Sequence, residues 1–180
     1  MTMIVTLIGM PGSGKSCMAR AISGKLNMKY LDADRVIEAR IGKKLHEIIA
    51  EVGHENFRKI EEEILLSINE ENTIIATGGS AVYYEKAMEH FKKIGKVVYL
   101  YVGFNTMLKR IGDYSKRGIV MRENQTIRDL YDERASLYEK YADITINCDG
   151  TAYPKYRRDL ISAIEKEREK KKTILANGQL

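Results

Sequence analysis

The chain has 180 residues, 44% hydrophobic and 31% charged, the balance of a single globular domain with one sizeable core. Thirty Lys and Arg against 25 Asp and Glu leave a net charge of +5, but the basic residues are spread out, and the one dense run, Lys166 to Lys172, reads as a solvated helix tail rather than a nucleic-acid groove. No apolar stretch approaches the ~20 residues of a membrane span, and the apolar N-terminus is too short for a signal peptide. Cys17 and Cys148 are far apart with no metal-type spacing, as expected of two reduced thiols in a cytoplasmic protein.

The chain opens on Met3–Ile8, an apolar run rich in β-branched residues and a predicted strand. Gly9-Met10-Pro11-Gly12-Ser13-Gly14-Lys15-Ser16 follows, and then a predicted helix over about 15–27. Strand, glycine loop and helix start are the context a P-loop requires. Glycines let successive backbone N–H groups turn inward around phosphate oxygens, and the helix N-terminus adds a favourable dipole. Gly12, Ser13, Gly14, Lys15, Ser16 and Cys17 are therefore the candidate ATP contacts. Lys15 would reach the β- and γ-phosphates, and Ser16 would ligand Mg²⁺.

Tyr30–Asp34 is expected to be a short strand ending in two carboxylates. In an extended chain Asp32 and Asp34 point the same way, toward the ligand crevice at the strand ends. One suits Mg²⁺ and the other a substrate hydroxyl, while either serves equally well as the N-cap of the next helix, Val36–Ile41. Two further helices are predicted, Leu45–Val52 and about Glu55–Glu70. The second carries Arg58 and Glu61 at i, i+3, where the carboxylate could fix the guanidinium for anion recognition or form a plain surface ion pair.

Thr73–Thr77 is a second apolar strand that stops at Gly78-Gly79-Ser80, a glycine pair that lets backbone approach a ligand. A helix is predicted over Tyr84–Lys93, a strand over Lys96–Val102 and a helix over Asn105–Ile111. The polar segment Asp113–Asn124, with Lys116, Arg117, Gly118 and Arg122, reads as a closing lid or as a solvated connection. A helix from Thr126 to about Tyr141 holds Arg134 and Tyr138. Asp143–Asn147 is the last strand, Cys148–Pro154 a loop, and about Lys155–Lys172 the last helix, with 173–180 expected to fray. Strands alternate with helices throughout, which argues for a parallel sheet covered on both faces.

Taken together, the P-loop, Asp32-Ala33-Asp34, Phe57-Arg58-x-x-Glu61, Thr77-Gly78-Gly79, Arg110, Arg117 and Arg134-x-x-Leu137-Tyr138 resemble the shikimate kinase family. The likeness runs from the first strand to about Pro154. It implies a three-layer α/β/α P-loop kinase with a five-stranded parallel sheet of order 2-3-1-4-5, formed by one domain over 1–172. A lid would occupy about 113–124, and an acceptor-binding helical region about 34–61. The implied activity is transfer of the γ-phosphoryl of ATP, with Mg²⁺, to a hydroxyl of shikimate in aromatic amino acid biosynthesis. By the same resemblance Lys15, Asp34 and Arg117 are catalytic, with Asp34 orienting or deprotonating the attacking hydroxyl. Asp34, Arg58, Gly78, Gly79 and Arg134 bind the acceptor, Ser16 and Asp32 serve Mg²⁺, and Arg110 and Pro154 flank adenine. The protein is expected to be a monomer that binds neither nucleic acid nor membrane.

The chain departs from the family pattern at three places. Ser80 stands where a third glycine is usual, His54 where glutamate is usual, and Arg117-Gly118-Ile119-Val120 where the lid usually has a proline. The same residues also suit a kinase for another carboxylated polyol, such as a gluconate-like acid. A regulator that only binds ATP fits less well, because it would have no use for Lys15, Asp34 and Arg117 together.

Overall fold

The computed structural model describes residues 2–112, 121, 122 and 124–176. Five strands, β1 (Val5–Ile8), β2 (Lys29–Asp32), β3 (Thr73–Ala76), β4 (Lys96–Tyr101) and β5 (Ile144–Asn147), form one sheet of order β2-β3-β1-β4-β5. Every pairing is parallel, with Val5 beside both Ile74 and Lys96. This is the order implied by the family likeness. The helices are α1 (Lys15–Ser23), α2 (Ala33–Ile41), α3 (Leu45–Leu66), α4 (Glu85–Ile94), α5 (Phe104–Ile111), α6 (Ile127–Tyr141) and α7 (Tyr153–Ala176).

The central strands β1 and β3 are buried at every position, as unbroken apolar runs require when helices cover both faces. The edge strands differ: β2 is at most half-buried, and β5 alternates between inward Ile146 and exposed Thr145 and Asn147. The chain leaves β1 toward β2 on one side, whereas it leaves β3 toward β4 on the other. The C-terminal ends of β1 and β3 therefore border the switch-point crevice in which ligands of such sheets bind. The P-loop and the Thr77–Ser80 turn face each other there. Thr77 locks the pair, donating to the Leu7 carbonyl from both N (3.2 Å) and Oγ1 (3.0 Å).

Several boundaries differ from the sequence reading. β2 stops at Asp32, and α2 begins at Ala33, so Asp34 lies in the first helical turn rather than on an extended strand. The two helices expected over 45–70 form the two halves of α3, separated as expected at Gly53, whose φ of 77° and ψ of 163° are non-helical, but α3 ends at Leu66 rather than Glu70. The last helix starts at Tyr153, with Pro154 in its first turn, where the missing N–H is harmless. It runs to Ala176, four residues past the expected end at Lys172.

Two apolar clusters result. The larger spans the sheet and its covering helices. The smaller joins Ile37 of α2 to Ile48, Phe57 and Ile64 of α3. The helical pair α2–α3 thus has a small core of its own beside the crevice. Among the described residues no helix is long and apolar enough to cross a membrane.

Candidate active site

A cavity of about 690 Å³ opens between the P-loop, α2, α3, the turn after β3 and α6. On the P-loop side, Gly12 and Gly14 take positive φ (78° and 91°), which turns the chain sharply after Pro11 and starts α1 at Lys15. Lys15 folds back over the loop, its Nζ donating to the carbonyls of Gly9 (2.7 Å) and Met10 (3.0 Å). It is only 8% exposed. Burial pushes its pKa down to about 8; Arg134 adds to the fall, and the carboxylates of Asp34 and Asp32 oppose it. Ser16 and Cys17 also line the cavity, while Ser13 is buried beneath the loop.

Asp34 faces the cavity from the first turn of α2. Its carboxyl is held above the usual range by burial first, then by Asp32 and Glu38, against the pull of Lys15. Asp32 does not line the cavity. It N-caps α2, accepting from the Arg35 backbone N (3.4 Å), and also accepts from the Tyr30 hydroxyl (3.1 Å). Because a helix begins between them, the two carboxylates meet different surroundings and do not form the paired, co-directed set expected of a strand.

Opposite Lys15, the turn after β3 brings backbone close to the site. A Cβ on Gly78 would lie 3.0 Å from Asp34 Oδ1 and 3.2 Å from Glu61 Oε1; one on Gly79 would lie 3.0 Å from Pro11 Cδ and 3.2 Å from an Arg134 nitrogen. A side chain at either position would have to push these groups aside by a few tenths of an ångström. Arg134, 4% exposed on α6, enters the cavity with its guanidinium over the Tyr83 ring (5.2 Å). One turn later on the same helix face, the Tyr138 hydroxyl donates to the Gly79 carbonyl (2.7 Å) and pins the turn.

Arg58 is placed differently from Arg134. It is exposed on α3 and does not line the cavity, whereas Glu61 is 3% exposed and does. The two do not form an ion pair. Glu61 instead accepts from Ser80 Oγ (3.0 and 3.1 Å) and from the Tyr84 hydroxyl (2.6 Å). Burial raises the Glu61 pKa, and these two donors pull it back.

Arg110, at the end of α5, donates from Nη2 to the Cys148 carbonyl (3.2 Å), and its Cβ stands 3.3 Å from where a Gly12 Cβ would be. Tyr153, beside Pro154, lies near Cys17. Arg110 thus stands next to the P-loop, and Tyr153, the residue before Pro154, next to Cys17 in the first turn of α1. Arg117 and most of the expected lid lie outside the described residues.

The donor set suits a magnesium ion carried in with nucleotide phosphates. Among the described residues no cluster of three or more His, Cys, Asp or Glu could hold a metal alone. Mg²⁺ in nucleotide sites needs none, because one or two protein oxygens join the phosphates and water. Ser16 presents a hydroxyl at the cavity, and Asp32 lies close enough to shift both Lys15 and Asp34.

Residues 11–165 match the family model for shikimate kinase. The chain belongs to the shikimate kinase family. It is a phosphotransferase that uses ATP and an alcohol acceptor. It is 32% identical over 163 residues to shikimate kinase of a Sulfurihydrogenibium species, covering 90% of this chain and 98% of that one. It is 36% identical over 167 residues to shikimate kinase of Helicobacter hepaticus, covering 91% and 96%. Among solved structures, shikimate kinase from Acinetobacter baumannii in complex with shikimate superposes with a TM-score of 0.82 at 29% identity, over 91% of this chain and 93% of that one. The enzyme from Aquifex aeolicus gives 0.78 at 29% identity, over 92% and 98%.

Sequence reasoning did not assign roles to Ser80, Tyr84, Tyr138 or His46, all at or beside the cavity. For Tyr138 a signal existed: its i, i+4 spacing from Arg134 puts both on one helix face. Ser80 and Tyr84 meet Glu61 only through the approach of α3 to the turn, which no local spacing announces.

Proposed function

We propose that the acceptor is shikimate and that the cavity holds it between Asp34, the Gly78–Gly79 turn and Arg134, with the γ-phosphoryl of ATP delivered from the P-loop. The observation that carries this reading is the convergence of a buried carboxylate, a buried guanidinium and the P-loop lysine on one cavity. A small polyol bearing a carboxylate needs these groups: a cation for its anionic end, a carboxylate for its hydroxyl and a positive charge for the moving phosphoryl.

Arg134 takes the acceptor carboxylate, and Arg58 joins it by turning inward from the outer side of α3. Asp34 accepts a hydrogen bond from the attacking hydroxyl and so aims its oxygen at phosphorus. The raised pKa of Asp34 brings it nearer to a general base as the hydroxyl loses its proton. Phosphate oxygens replace the Gly9 and Met10 carbonyls as partners of Lys15, and their charge keeps the lysine protonated. Ser16 and Asp32 would hold the Mg²⁺ that arrives with ATP, directly or through water, and the ion would supply charge neutralisation at the phosphates. Arg110 and Pro154 flank the adenine. Arg117 is assigned to the transferring phosphoryl on its sequence position alone. The same reading takes the protein to be a cytoplasmic monomer that binds no nucleic acid.

The test is acceptor-dependent ADP release in the presence of ATP and Mg²⁺, with shikimate, quinate and gluconate compared. Turnover with shikimate far above the other two supports the reading. ATP binding with no shikimate-dependent turnover overturns the acceptor assignment.

A further inference from the structure

Ser80 is the departure from the family pattern that lies inside the cavity wall. Its backbone is right-handed (φ −83°, ψ −15°), so the position accepts a side chain without strain. The hydroxyl is aimed, at 3.0 and 3.1 Å, across both oxygens of Glu61, while Tyr84 donates to Oε2 at 2.6 Å. A carboxylate this deeply buried is costly unless donors surround it, and among the described residues its partners are these two hydroxyls.

The geometry points to Ser80 as a positioning residue for the acceptor, holding Glu61 beside Asp34 to form a wall that reads hydroxyl groups. This rests on the acceptor reading above. Glu61 Oε1 and Asp34 Oδ1 flank Gly78 on the same wall, 3.2 and 3.0 Å from one point. A hydroxyl carries one proton, and those of Ser80 and Tyr84 are both committed to Glu61. The side chains of this wall therefore offer the cavity only lone pairs. Such a surface accepts from hydroxyls and repels a carboxylate, which is left to Arg134. Ser80 thereby helps fix which end of the acceptor goes where.

The groups facing Glu61 are Ser80 and Tyr84 from the turn and the residues after it, Asp34 from α2 and Arg134 from α6, with Arg58 one turn earlier on its own helix. Removing the Ser80 hydroxyl takes away one donor to the carboxylate and leaves the rest in place.

The experiment compares wild type, Ser80→Ala, Glu61→Gln and the double variant, with Ser80→Gly, the residue usual in the family, as a second probe of the same hydroxyl. Ser80→Ala is expected to raise KM for shikimate about tenfold, the scale of a hydrogen bond to a charged group, with a smaller fall in kcat and an unchanged KM for ATP. In the Glu61→Gln background the same change should add less than about twofold, because the two act as a unit. Effects that multiply independently, or a wild-type KM in both Ser80 variants, would overturn the proposal. If wild type itself does not turn over shikimate, the acceptor reading fails. The Ser80 proposal is then decided by the ¹³C titration of the Glu61 carboxyl. Ser80→Ala should move that titration to higher pH, and an unmoved titration refutes the proposal.

Discussion

At the scale of single residues, chemistry in the cavity depends on charges held out of water. Lys15 has a folded-state pKa of about 8, well below its ordinary value of 10.5. Between these two values the unfolded chain keeps a proton that the native lysine has lost, so stability rises with pH over that window. ATP affinity moves the other way, because the neutral amine no longer attracts phosphate. The KM for ATP should be flat below about pH 8 and climb above it, whereas urea midpoints should rise; a flat KM would contradict the role of Lys15. Lys15→Ala should lower kcat/KM by about 10²–10³-fold, the usual loss on deleting one transition-state charge partner, as read by ADP release. For Asp34 the direction is reversed. Its raised pKa means that acid protonates it early, so kcat/KM for the acceptor should fall on the acid limb at a pH above the usual carboxylate range. Asp34→Asn should remove that limb and cost about 10²–10⁴-fold in kcat while leaving ATP binding intact, checked by calorimetry.

At the scale of elements, much of the site could be read from the chain and some could not. The P-loop was legible because glycine spacing, the preceding strand and the following helix are all local. The glycine pair after β3 was legible for the same reason, and the structure adds what a side chain would meet there: Asp34 and Glu61 at Gly78, Pro11 and Arg134 at Gly79. Asp34 lines the cavity but lies on a different element from the one expected, because Asp32 caps α2 and ends the strand two residues early. The Arg58–Glu61 spacing suggested an ion pair, yet α3 turns Glu61 inward and Arg58 outward, and two hydroxyls from another part of the chain take the carboxylate. Spacing along one helix cannot report a partner that arrives through tertiary packing.

The break in α3 belongs to this scale too. Gly53 separates the turn carrying His46 and Ile49 from the one carrying Phe57 and Glu61, and all four line the cavity. Its φ and ψ lie in a region that is essentially glycine-only, so Gly53→Ala should cost about 1–3 kcal/mol. A lowered Tm together with a raised KM for the acceptor is expected. An unchanged Tm would show that the break does not need glycine.

At the scale of the whole molecule, the parallel sheet is a rigid base and the α2–α3 pair is an attachment with its own small core. The strands at the centre are fully buried, whereas the α2–α3 cluster has only four buried members. Local stability follows buried apolar contact, so amides of α2 and α3 should exchange with deuterium faster than those of β1 and β3. Saturating acceptor should slow exchange in α2, α3 and the middle of α6, because it bridges Asp34 and Arg134, and leave the sheet unchanged. Protection confined to the P-loop would place the acceptor elsewhere. The alternation of strands and helices, and hence the layered architecture, was evident from hydropathy; the separation into a large and a small core was not, since both are built from the same apolar residue types.

The most direct test of the account is single-turnover transfer from ATP to shikimate, followed by ³¹P NMR, in wild type and in Asp34→Asn. Wild type should form one new phosphate ester on a shikimate hydroxyl, and the variant should form it at least about a hundredfold more slowly. Phosphate released to water with no ester, or equal rates in both proteins, would contradict the account.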